Sequence, residues 1–110
     1  MALDAEAIYR KVQEAGESWA DLKATYEMLD DLTKTVLADL STDIKTGHKC
    51  SNAEAETRAY AHERYKEHLS RLATARREWL RSEVRYKSAV MLADLRRSEE
   101  STERAKMTLR

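Results

Sequence analysis

Residues Tyr65–Ala93 read YKEHLSRLATARREWLRSEVRYKSAVMLA. Tyr65, Leu72, Trp79, Tyr86 and Ala93 recur every seven residues, and Ala61, Ala75, Ser82 and Ala89 each stand four places ahead of the next of them, with His68 in the corresponding place before Leu72. This alternation of fours and threes gathers all of these residues on one side of a continuous helix. Neither glycine nor proline occurs from Ser51 to Arg110, so the spacing predicts a helix over about 51–110, with a reach of ~85 Å at ~1.5 Å per residue. A helix that long has to bury its stripe against a partner.

The partner is legible upstream. Ile8, Val12, Ala15, Trp19, Leu22, Tyr26 and Leu29 keep the same alternation, and Thr33, Val36, Leu40 and Ile44 continue it. This predicts a first helix over about 4–45, started by Asp4 as cap with Glu6 in the positive first turn. Gly16 falls inside the pattern but off its apolar face, at a cost of about 1 kcal/mol relative to alanine. Between the helices, Gly47 suits a left-handed position after a helix end. Ser51 and Glu54 form a Ser-x-x-Glu capping box. Residues 46–50 therefore read as a short turn, and a short turn makes the helices antiparallel. The fold class is all-α: one domain over 1–110, a long antiparallel helical hairpin of coiled-coil type whose second helix outruns the first. Folding about residue 48 would bring Trp19 near Trp79, Val12 near Tyr86 and Tyr26 near Leu72, leaving residues 94–110 to fray or to meet another chain. Glu54–Arg58, Glu67–Arg71, Glu83–Lys87 and Glu100–Arg104 are spaced to pair along the second helix, at about 0.2–0.5 kcal/mol each.

A second stripe lies roughly opposite the Trp79 seam. Ala73, Leu80, Val84, Met91 and Leu95 recur at intervals of seven and four, and around Ser88–Leu95 the helix is apolar almost all round. The first helix can cover only one face. Leu80, Val84, Met91 and Leu95 are therefore the candidate self-association face, and a homodimeric four-helix arrangement is expected.

Twenty basic and twenty acidic residues cancel. The first 45 residues nonetheless hold ten acids and five bases, net −5, and the remaining 65 hold ten acids and fifteen bases, net +5. Complementarity between the two halves is the simplest reading of that split. A single cysteine, Cys50, excludes an internal disulfide. No apolar run approaches the ~20 residues of a membrane span, and no signal peptide is evident at the N-terminus. A cytoplasmic location follows as the expectation, with no membrane partner.

Chemistry is sparse. His48 and Cys50 lie in the turn, but a zinc site wants three or four ligands, and no third group orients them as a nucleophilic pair. Adjacent carboxylates such as Asp30-Asp31 and Glu99-Glu100 diverge by about 100° on a helix. Phosphate loops and metalloprotease or hydrolase motifs are absent. No enzyme activity, cofactor, metal or small-molecule substrate is expected. The basic cluster is the stronger candidate. Arg71, Arg77, Arg81, Arg85 and Arg96 are positioned as a nucleic-acid or partner face, with Arg77, Arg81, Arg85 and Arg96 spanning roughly 100° of the helical wheel. They compete with a solvated face that meets Glu14, Glu17 and Asp21 of the first helix.

Tyr65-Lys-Glu-His68, Ala75-Arg-Arg77, Arg85-Tyr86 and the closing Glu100-Ser-Thr-Glu-Arg-Ala-Lys-Met-Thr-Leu109 together resemble small all-helical proteins of tailed bacteriophages that accompany recombination and replication genes. The likeness covers most of the second helix and less of the first. It implies no catalytic residue. It implies an accessory factor in the cytoplasm of a bacterial host, helping or inhibiting a recombination protein, a host nuclease or a defence complex. Direct nucleic-acid binding through the arginines is the alternative reading, and an architectural coiled-coil spacer the third.

Overall fold

The computed structural model describes residues 4–109. It is all-α, with α1 Ala5–Asp31, α2 Thr33–Gly47, α3 Asn52–Tyr60 and α4 Glu63–Thr108, and with no strand among the described residues. The chain divides into two compact units. Met1–Asp21 with Trp79–Arg110 make one, and Leu22–Glu78 make the other. Both α1 and α4 contribute to each unit.

In the first unit the early part of α1 runs antiparallel to the later part of α4. Ile8 is buried and shares a small cleft with Ala93 and Arg96, while eleven residues on, Trp19 stacks on Tyr86 with ring centroids 5.3 Å apart and planes 6° from parallel. Such a pair contributes about 0.5–1.5 kcal/mol beyond the area it covers. Tyr86 thus lies against Gly16 and Trp19, a few residues further along α1 than the expected pairing with Val12. Ser82 is almost fully buried, and its hydroxyl is satisfied by donating to the carbonyl of Trp79 at 2.6 Å. Gly16 does not lie away from the packed side, as its place in the pattern suggested. A Cβ built there would stand 3.0 Å from Cε2 of Tyr86. The missing side chain makes room for the ring that Trp19 holds.

In the second unit Leu40, Ala55 and Ala59 are buried against one another's helices, and Ala75 and His68 are buried on α4. His68 Nε2 lies 2.9 Å from the Thr33 hydroxyl, which in turn donates to the Leu29 carbonyl at 3.4 Å. The Thr33 hydroxyl thus bridges the His68 ring and the backbone of α1. Arg64 meets Asp43 at 3.1 Å across an exposed edge, an ion pair of about 0–1 kcal/mol. Tyr60 and Tyr65 meet edge to face at 5.5 Å.

The helix boundaries depart from the periodic reading at two places. At Leu32 a one-residue turn separates α1 from α2, although Leu32 keeps right-handed helical angles and the bonds Leu32 N–H to Met28 and Val36 N–H to Leu32 persist. The Thr33 hydroxyl turns back onto the carbonyl four residues earlier, a bond that bends helices without breaking them. At Ala61–His62 the second long helix is interrupted. His62 Nδ1 accepts from the Arg64 amide at 3.0 Å and so caps α4, a role that falls more often to Ser, Thr, Asp or Asn. Ala61, placed in the seam by spacing, is exposed there.

The connection is His48–Ser51 rather than 46–50. No described glycine has positive φ, so Gly47 closes α2 in helical form, and it is His48 that turns to extended angles while its N–H bonds Ile44. Lys45 Nζ bonds Asn52 Oδ1, tying the end of α2 to the start of α3. Two expected caps are present: Asp4 Oδ1 accepts from Glu6 N–H at 3.4 Å, and Ser51 Oγ accepts from Glu54 N–H at 3.1 Å.

Two substitutions test this packing. Gly16→Ala gains about 1 kcal/mol of helix propensity but crowds a ring that its stack cannot release. It is therefore expected to be neutral or destabilising in the native sequence and stabilising by about 1 kcal/mol once Tyr86→Ala has removed the ring, as read by denaturant unfolding of the four proteins of that cycle. Thr33→Val is expected to lower stability by about 1–3 kcal/mol, because it strands the buried Nε2 of His68. Urea titration gives the value.

Candidate protein-interaction surface

The residues of α4 that α1 does not cover define the site. Within the first unit, Leu80, Val84, Met91 and Leu95 are 43, 65, 64 and 57 % exposed. At 100° per residue they occupy a band about 60° wide on α4, opposite the side that carries Trp79, Ser82 and Tyr86. Scattered exposed leucines are ordinary on protein surfaces, whereas large apolar side chains gathered on one band of a helix make a candidate interaction surface. Leu92 is also exposed, to one side of the row. The row has a gap of seven residues in its middle. There Lys87 and Ser88 flank it, and the Lys87 ammonium is held by Glu83 at 3.2 Å. Spacing alone singled out the four apolar residues. The same spacing rules pair Lys87 with Glu83, and its wheel position sets it beside the row.

The arginines divide. Arg81 and Arg85 in the first unit are exposed and form no ion pair among the described residues. Arg85 and Glu14 line one shallow cleft together with Lys11, Ser18 and Ser82, yet they form no ion pair. In the second unit Arg71 and Arg77 are likewise exposed. Arg96 differs. It is half-buried and its guanidinium lies 3.9 Å from Glu99 and 3.5 Å from Glu100, so acids of its own helix already occupy it. Of the four spaced pairs, Glu83–Lys87 closes, while Glu100 turns back to Arg96 instead of forward to Arg104. The stretch from 94, expected to fray or meet another chain, is helical to Thr108: Arg96 and Glu100 are half-buried beside Ala5 and Ile8 of α1, and 101–109 are exposed. Thr102 and Thr108 bond back to the carbonyls of Ser98 and Arg104.

His48 is exposed in the connection and Cys50 is a half-buried free thiol, whereas His62 and His68 have the capping and core roles described above. Among the described residues no three of His, Cys, Asp or Glu gather in a way that could hold a metal ion. No described helix is long and apolar enough to cross a membrane. The chain matches no family model, no curated protein and no solved structure.

Proposed function

We propose that the chain is a non-enzymatic interaction protein that self-associates through the Leu80–Leu95 face of α4 and engages a macromolecular partner with the polar surface left outside that contact. The observation that carries this reading is the row of four large apolar side chains left open to solvent. Burying them is worth about 1 kcal/mol per side chain at their exposure. Association itself costs roughly 4–15 kcal/mol, so a pair of copies is expected to form and separate with concentration. The resemblance to helical phage proteins supports a partner from recombination, from a host nuclease or from host defence, which this protein would help or inhibit. Light scattering tests the self-association. The native chain is expected to run as a dimer at tens of micromolar, and Val84→Asp with Met91→Asp as a monomer with unchanged helical circular dichroism. A monomeric native chain at that concentration ends the proposal.

The exposed, acid-free guanidinium groups of Arg77, Arg81 and Arg85 favour a second reading, contact with nucleic acid. On that reading, retention of DNA falls steeply between 50 and 200 mM salt. Replacing the three arginines by glutamine abolishes it. Negligible retention of DNA by the native chain at physiological salt rules the reading out.

A further inference from the structure

Resting on the reading of this face as self-associating, we infer that two copies meet through it antiparallel, about a two-fold axis that passes between Lys87 and Ser88. The row Leu80, Val84, Met91, Leu95 has intervals of four, seven and four, and so reads the same in either direction. In an isologous contact residue i meets j while j meets i. With the axis at its centre, Leu80 faces Leu95 of the second copy and Val84 faces Met91, so every large side chain finds another. The layers are also even in bulk, Leu with Leu and Val with Met. A parallel pair in register would stack Val84 on itself and Met91 on itself, one layer thin and the next thick, which close packing penalises. Antiparallel macrodipoles favour the same choice.

The edges of the row differ in charge. On the helical wheel Glu83, Lys87 and Asp94 lie on one edge of the row, and Arg81, Ser88 and Arg85 on the other. A two-fold axis perpendicular to the helices brings like edges together. The two Lys87 then come level across the axis, each held by its own Glu83 at 3.2 Å, with Glu83 and Asp94 of the other copy about 8 and 9 Å away along the helices. On the opposite edge Arg81 and Arg85 of both copies collect. Their heads are exposed and screened by water and salt, and together they make one cationic border that a single copy lacks. A parallel pair would instead mix the two edges. The contact spans about 24 Å of helix, short of the ~800 Å² per partner of a standard stable interface. Association in the micromolar range is therefore the expected strength.

Cysteine cross-linking on the full chain, in a Cys50→Ser background, tests the register. Near the axis, Ser88→Cys is expected to give a disulfide-linked dimer on mild oxidation. Leu80→Cys alone is not, because the two positions would lie about 22 Å apart along the axis and a disulfide needs Cα atoms within about 7 Å. An equimolar mixture of Leu80→Cys and Leu95→Cys chains is expected to link as the mixed pair. Light scattering on each variant before oxidation separates the two levels of failure. Dimers in which Leu80→Cys links to itself, or in which Ser88→Cys does not link, overturn the antiparallel register and leave self-association standing. Monomers throughout overturn both.

Discussion

With no phenylalanine and few large residues to spare for a core, each unit depends on places where a small side chain lets a second helix come close. In the second unit these are Ala55, Ala59 and Ala75; in the first it is Ser82, with Gly16 beneath the ring of Tyr86. Close approach turns half-buried aromatic residues into effective cover, because a ring laid along a helix touches many atoms at once and dispersion accumulates over all of them. The Trp19–Tyr86 stack is the clearest case. A Cβ at residue 16 would stand 3.0 Å from its Tyr86 ring and force the ring to shift. A larger residue at any of these small positions would push helices apart over several turns, since packed interiors transmit strain rather than absorb it.

That economy has a consequence for function. A pair of helices sealed by small residues and a few rings buries one stripe of α4 and leaves the opposite one in water. Leu80, Val84, Met91 and Leu95 are the residue of that arithmetic. The polar surface is organised as well: Glu83 and Lys87 neutralise each other, Arg96 is taken by Glu99 and Glu100, and Arg81 and Arg85 are left with free heads. Titratable groups that could have suggested chemistry instead serve the backbone or the core, as His62 does in capping α4 and His68 in bonding Thr33. The site-level reading is of recognition by shape, apolar cover and charge.

Much of this was legible beforehand. Every position from Ile8 to Ile44 in the first repeat, and from Tyr65 to Ala93 in the second, is at least half-buried, and the caps at Asp4 and Ser51 are where the residue types placed them. The exposed row on α4 was readable too, since a face left without a partner in a two-helix arrangement follows from counting stripes. Illegible were the interruptions at Leu32 and Ala61–His62, which no glycine or proline announces. Beside them Thr33 bonds back to the Leu29 carbonyl and His62 accepts from the Arg64 amide, yet Thr42, Thr57 and Thr102 make the same backward bond inside unbroken helices, so residue type does not mark where a helix breaks. Gly47 misled in the opposite sense: a residue able to adopt left-handed angles was not required to.

By itself the sequence determined that the chain is helical, which residues turn inward, and that one face of α4 stays apolar and unclaimed. Those properties repeat along a single helix, where side-chain direction follows from 100° per residue. Only the tertiary structure decided the register that sets Trp19 on Tyr86, the packing role of Gly16, the division into two units, and which arginines remain free of acids. Each of these depends on what a second helix presents at the point of contact, and no periodicity within one helix carries that information.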